Sequence, residues 1–390
     1  RPADLESTAF FARLPDTSAP MSFDFDTIHP RLGTGSTKWS RYPEDVLPMW
    51  IADMDIAAPP AILKALHARL DQQMLGYSVA RPEVREAIIH DLWDKYAWRV
   101  QPDELLFLPG VEPGFNMALH AFVQPGQSVV LQTPNYAPLR HAAGNWSLPK
   151  IEVPFELNDQ GEYLTPLPAL RQALKGAGAL LLSNPHNPLG KVFPREELLA
   201  VANACLDQGT LIISDEIHAE LCFDGRRHIP TASLSAEIAR RTITLMSASK
   251  AYNVAGLKTC FAIVQDPLIR ERFNKARCGM VDSVSPLGLE ATWAAYSQCD
   301  EWLKALVAYL QDNRDYLLDA VQKRLPGVVM HAPQGTYLAW LDCSALGLDD
   351  PQRFFLEQAK VGLSAGVEFG DDSQQFVRLN FGCPRALLEE

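Results

Sequence analysis

The chain predicts an α/β fold, with a large domain on a mainly parallel sheet covered by helices on both faces and a smaller α+β domain beside it. Three observations lead there. From Pro59 to about Gln298, short apolar runs of strand type alternate with stretches whose apolar residues recur at helical spacing. Beyond that region, Glu301 to Arg324 reads as one amphipathic helix, and Gly327 to Cys343, Asp350 to Lys360 and Phe376 to Phe381 read as strand, helix, strand. The length of 390 residues, 47% of them hydrophobic, is enough for two or three domains with ample cores. The expected large domain is 59–298, and 21–58 with 299–390 would form the small one.

Taken in order, residues 1–20 lack a clear apolar signal-peptide core and read as an extension preceding Met21. Glu104 to Phe122 reads as a strand, a glycine turn and a helix, and a helix N-terminus after such a turn is a ready anion site. Gln132 to Tyr136 follows a Val-Val-Leu strand. Ala179 to Gly190 is a buried-strand pattern running into a loop with two Asn-Pro steps, whose extended, turn-rich backbone presents amide side chains rigidly. Thr210 to His218 is a further apolar run, ending in Asp215 with His218 three residues on. Thr242 to Met246 is another, followed at once by Ser247-Ala-Ser-Lys250. A lysine amine is protonated near neutrality, so a lysine used for Schiff-base chemistry is placed at the end of a rigid element, partly desolvated and near other cations. Lys250 has that placement. Gln375 to Gly382 alternates, with Arg378 and Asn380 on one face.

The order N-P-H-N-P, S-D-E-I-H, S-A-S-K, with Asn187, Asp215 and Lys250 at intervals of 28 and 35, resembles the pyridoxal-5′-phosphate (PLP) enzymes of fold type I, the aspartate aminotransferase superfamily. The resemblance implies a mostly parallel seven-stranded sheet in the large domain and PLP as cofactor. It implies that Lys250 forms the Schiff base, Asp215 pairs with the pyridine nitrogen, and Asn187 hydrogen-bonds the ring's phenolic oxygen. A carboxylate against that nitrogen keeps the ring protonated and able to take up charge from Cα. By the same resemblance the backbone of Val111 and Glu112, with Ser247 and Ser249, holds the phosphate, and Tyr136 stacks on the pyridine face. Arg378 grips the substrate α-carboxylate through its planar fork, and Ala52 offers it a backbone N–H. Tyr77, in Leu75-Gly-Tyr-Ser78, resembles the tyrosine that reaches the phosphate of the other subunit, which implies a homodimer with shared active sites. The chain departs from the commoner pattern where Lys258 stands in place of an arginine, giving charge without the bidentate fork. It departs again at His218, where aminotransferases place a tyrosine; a histidine is neutral or charged near pH 7, and its contact with the cofactor stays open.

Pro48 to Asp55, the D-E-I-H string and Thr336 to Cys343 resemble one branch, the cystathionine β-lyases and carbon–sulfur lyases, which also contains the maltose-regulon modulator. The resemblance runs from about Met21 to the C-terminus. It implies α,β-elimination from cystathionine or a related cysteine S-conjugate. Spacing and composition do not separate this from transamination by the same residues, and a regulatory binding protein is the reading of another class. A net charge of −12, spread without long runs, argues against a nucleic-acid surface. No apolar stretch approaches the ~20 residues a bilayer requires. Seven scattered cysteines, without C-x-x-C or H-E-x-x-H, indicate neither a disulfide framework nor a zinc site, and a reducing cytoplasm is expected.

Overall fold

The structure, a computed structural model, describes residues 23–390. The expected extension at residues 1–20 lies outside them. A seven-stranded sheet forms the centre: β1 Leu105–Leu108, β2 Ser128–Thr133, β3 Lys150–Pro154, β4 Ala177–Ser183, β5 Leu211–Asp215, β6 Thr242–Met246 and β7 Cys260–Ile263. Their order across the sheet is β1-β7-β6-β5-β4-β2-β3. Only β7 runs against its neighbours, pairing antiparallel with both β1 and β6.

Strands β5, β6 and β7 are buried at every residue. This is why they read as unbroken apolar runs: with helices on both faces, neither side of the strand meets water. One face is covered by the helix Val111–Phe122, whose Phe115, Ala118 and Leu119 are fully buried against residues such as Leu245 and Ile213. The helix Arg195–Gln208 covers another part, with Leu198, Val201 and Cys205 among Leu180, Leu182 and Ile212. It ends at Gly209, whose φ of +65° supplies the left-handed cap that only glycine adopts without strain.

The long helix Asp300–Arg324 begins one residue before the expected start. It leads to a second, antiparallel sheet of β8 Val329–Met330, β9 Leu338–Asp342, β10 Ser364–Ala365 and β11 Phe376–Asn380, in the order β8-β9-β11-β10. Trp340 lies directly opposite Arg378 in the β9–β11 register. Residues 23–56 run without regular structure, apart from a two-residue strand at Leu47–Pro48, before the helix Pro60–Asp71. Among the described residues no helix is long and apolar enough to cross a membrane, and no group of His, Cys, Asp and Glu is arranged to hold a metal ion.

Candidate active site

Parallel strands leave their C-terminal ends as a row of turns, and in an open α/β sheet this edge is where ligands are held. Here β5 delivers Asp215, the loop after β4 delivers Asn187, and the turn after β6 delivers Ser247, Ser249 and Lys250. The N-terminus of the helix Val111–Phe122 closes one side and Arg378, from β11, another. Together with Ala52, Tyr136, His218 and Lys258 they line one cavity of about 250 Å³.

Asp215 is 6% exposed; its Oδ1 accepts from the Ile217 N–H at 3.1 Å, and among the described residues no cationic side chain pairs with it. Burial pushes its carboxyl up to about 7. Lys250 donates to the Ala52 carbonyl at 2.8 Å, and burial, with the Arg378 charge next, lowers its amine to about 8. Among the described residues Arg378 has no acid either. It donates to Asn187 Oδ1 at 2.8 Å and to the Trp50 carbonyl at 2.7 Å, while its Nε is buried without a partner. A buried guanidinium held only by neutral acceptors is a receptor for an anion. Because Arg378 occupies Asn187 Oδ1, the group Asn187 can offer the cavity is its amide N–H.

Tyr136 caps the helix Ala137–Asn145 and donates to Glu112 Oε1 at 2.6 Å; burial, then the Glu112 charge, keeps its hydroxyl protonated. Ser247 Oγ donates to the Thr259 carbonyl at 2.7 Å and lies 2.7 Å from Ser249 Oγ. With that proton spent on Thr259, Ser249 is the donor in the contact between the two hydroxyls, and either serine reaches a ligand by turning its proton away from its present partner. Lys258 is exposed at the cavity wall, with a left-handed backbone at φ +48°.

His218, left open between neutral and charged by the sequence, is 3% exposed and held neutral: burial drops its imidazole well below the usual range. Its Nδ1 has no partner, and its ring meets Tyr337 edge-on at 6.0 Å. Ala52 was expected to contribute an N–H; the contact it makes at the site is through its carbonyl, which accepts from Lys250 and from the Tyr337 hydroxyl at 3.0 Å. Tyr77 does not enter the cavity of its own chain. It is fully exposed, near Arg69, Arg81 and Glu290.

Three participants escaped the sequence. Tyr337 sits in the Thr336–Cys343 string without a role assigned to it. Asn253, three residues after Lys250, holds Met54 and Ile56. Glu216, beside Asp215, is wholly buried and accepts from Ser214 Oγ at 2.7 Å and the Thr231 N–H at 3.0 Å, with His228 Nε2 at 2.7 Å. Asn253 carried a signal, a lone amide in an otherwise small and apolar stretch, but its partners lie nearly two hundred residues away.

The residues fit a pyridine ring bearing an aldehyde and a phosphate. An unpaired buried carboxyl suits a ring N–H, a desolvated amine suits the aldehyde, and first-turn helix amides with Ser249 and Lys258 suit the phosphate. An α/β sheet carrying this set at its C-terminal edge defines a PLP-dependent enzyme of fold type I. The chain belongs to the aminotransferase class I and II family, whose profile matches residues 44–390. It is 37% identical over 378 residues to the cystathionine beta-lyase PatB of Bacillus subtilis, covering 94% of this chain and 97% of that one. It superposes on the crystal structure of OvoB with a TM-score of 0.90 at 41% identity, over 94% of this chain and 96% of the other. It superposes on cystalysin of Treponema denticola, which contains a pyridoxal 5′-phosphate cofactor, with a TM-score of 0.91 at 30% identity, over 95% and 96% of the two chains.

Proposed function

We propose that this protein is a PLP-dependent carbon–sulfur β-lyase that cleaves the Cβ–S bond of cystathionine or a related cysteine S-conjugate, releasing a thiol, pyruvate and ammonia. The observation that carries the reading is likeness along nearly the whole chain to a cystathionine β-lyase, joined to a cavity holding a desolvated lysine, an unpaired acid and an unpaired arginine. PLP, when bound, withdraws electrons from the substrate's Cα, which acidifies the Cα proton and labilises a leaving group on Cβ. The chain's own residues do the rest. Lys250, lowered to about 8, is a free amine in about a tenth of molecules at pH 7, far more than an ordinary lysine, and takes the proton from Cα. Arg378 receives the α-carboxylate on its fork and so turns the Cα–H toward that amine. Asp215 holds a proton on the ring nitrogen, Asn187 donates its amide N–H to the ring oxygen, and Tyr136 covers the ring face. Val111 and Glu112 offer backbone N–H groups to the phosphate, with Ser249, Ser247 and Lys258 alongside. His218, neutral and buried, forms the cavity wall beside Tyr337.

The protein acts as a homodimer in this reading, with Tyr77 completing the phosphate site of the other subunit. Exposed Leu70, Met74, Leu75, Tyr77 and Val79 lie close together in sequence and support an interface there. A division into 59–298 and 21–58 with 299–390 is proposed on the same basis, with Lys250 on the larger part and Arg378 on the smaller. A cytoplasmic location agrees with the scattered free cysteines.

The test is to supply purified holoenzyme with cystathionine and no keto acid while following pyruvate. Sustained formation supports the lyase. No pyruvate, with one equivalent of cystathionine consumed per site and further consumption only when a keto acid is added, makes the protein an aminotransferase.

A further inference from the structure

Residues 50–56 form neither helix nor strand, yet their carbonyls are held by side chains from distant parts of the chain. Trp50 O accepts from Arg378 at 2.7 Å and from Ser364 at 2.6 Å. Ile51 O and Asp53 O accept from Asn380 at 2.7 and 2.8 Å, and Ala52 O accepts from Lys250 and Tyr337. A backbone carbonyl moves only with its segment. Whatever fixes this segment therefore fixes the acceptor that faces Lys250.

Two anchors do so. Asp55, 6% exposed, accepts from Arg31 at 2.7 Å, Lys38 at 2.6 Å and Trp39 Nε1 at 2.8 Å. Asn253 lies on the turn that carries Lys250. Its Oδ1 accepts from the Met54 N–H at 3.3 Å, and its Nδ2 donates to Met54 O at 3.0 Å and Ile56 O at 2.6 Å. Its backbone is left-handed, φ +53°, a conformation asparagine tolerates better than most residues.

We propose that Asn253 is a positioning residue for Lys250: by tying residues 54–56 to the lysine's own turn, it fixes the Ala52 carbonyl against the amine and keeps water from it. The inference rests on Lys250 being the lysine that captures PLP. The groups facing that amine are Arg378 from β11, Tyr337 beside β9, Asp53 from the segment itself, Asp215 and His218 at the end of β5, and Glu112 from the helix Val111–Phe122. Burial outweighs all of them, so loosening the segment returns the amine toward the ordinary lysine range.

Asn253→Gly deletes the amide and still permits the backbone. Cofactor-free wild type and variant are mixed with PLP from about pH 6 to about pH 10, the adduct is fixed with borohydride, and the labelled lysine is located by mass spectrometry. The midpoint of capture should rise by about one pH unit in the variant, with capture near neutrality about tenfold slower. Asp55→Asn, at the other anchor, should move the midpoint the same way and carries the test if Asn253→Gly does not fold. A lowered Tm with the wild-type midpoint and capture rate overturns the proposal. Lys250→Ala separates the two ideas. If it loses the adduct while Asn253→Gly keeps the wild-type midpoint and rate, only the positioning role fails; if it keeps the adduct, the reading of Lys250 fails.

Discussion

Arg378 lacks an acidic partner, and truncating it removes the fork for the substrate carboxylate while releasing Asn187 and the Trp50 carbonyl. Loss of one member of a buried charge pair costs about 2 to 5 kcal/mol, so Arg378→Ala should lower kcat/KM for cystathionine by about 30-fold or more. Arg378→Lys, which keeps the charge without the planar fork, should fall between. Steady-state kinetics with cystathionine and with its carboxyl ester check this: a variant that loses as much on the ester as on the acid has not lost a carboxylate contact. Asp215 gives a second expectation. Burial raises it from 3.8 to about 7, so the folded cofactor-free protein holds this proton more tightly than the unfolded chain. Its contribution to stability is complete below about pH 3.8 and is lost as pH rises through about 7. Asp91, also raised to about 7 by burial, acts in the same window, so Asp215→Asn should remove only part of the decline. Melting curves of cofactor-free wild type and variant across that range test it; parallel declines would mean that Asp215 is ionised throughout. The placement of Lys250, Asp215, Asn187 and Arg378 in one cavity was legible because the first three follow apolar runs and Arg378 interrupts one. Asn253 was not, since an amide declares its purpose only through partners.

Among the elements, the strands were legible because burial on both faces leaves an apolar run that nothing else explains. Thr242–Met246 is a strand over all five residues. Pro48 to Asp55 stood out as a branch motif and Ala52 for its N–H, but the carbonyls that residues 50–56 contribute escaped, because side-chain identity does not reveal them. The loop after β4 shows how tightly such pieces are fitted. Gly190 has φ +64°, its carbonyl accepts from the Gln334 and Gly335 N–H groups at 2.8 and 2.9 Å, and a Cβ there would collide with Pro333. Left-handed strain and overpacking together make Gly190→Ala destabilising by about 2 kcal/mol or more. It should also weaken PLP binding, because the loop carries Asn187. Urea unfolding and a PLP titration measure the two effects, and a variant as stable as wild type would show that the loop yields.

For the whole molecule, the proposed dimer makes a prediction that no single chain can satisfy. Lys250→Ala and Tyr77→Ala, each impaired, are mixed under conditions that exchange subunits. A mixed dimer then has one site with both defects and one with neither, so activity should recover to roughly a quarter of wild type at full exchange. Recovery absent despite proven exchange would place Tyr77 in its own chain's site. The site is also assembled from far-separated stretches of sequence: the carbonyl facing Lys250 comes from residue 52, the lysine is about two hundred residues later, and the arginine lies at 378. Synthesis proceeds from the N-terminus at about 5 to 20 residues per second, so the first and last of these parts leave the ribosome on the order of a minute or less apart. During that interval the nascent chain carries an aldehyde-capturing lysine without its arginine. Because Arg378 fixes Asn187 and Asn380 holds the carbonyls of residues 51 and 53, a ribosome-stalled chain ending before residue 378 should hold PLP more loosely than the released protein, which would make secure loading of the cofactor one of the last events in its maturation.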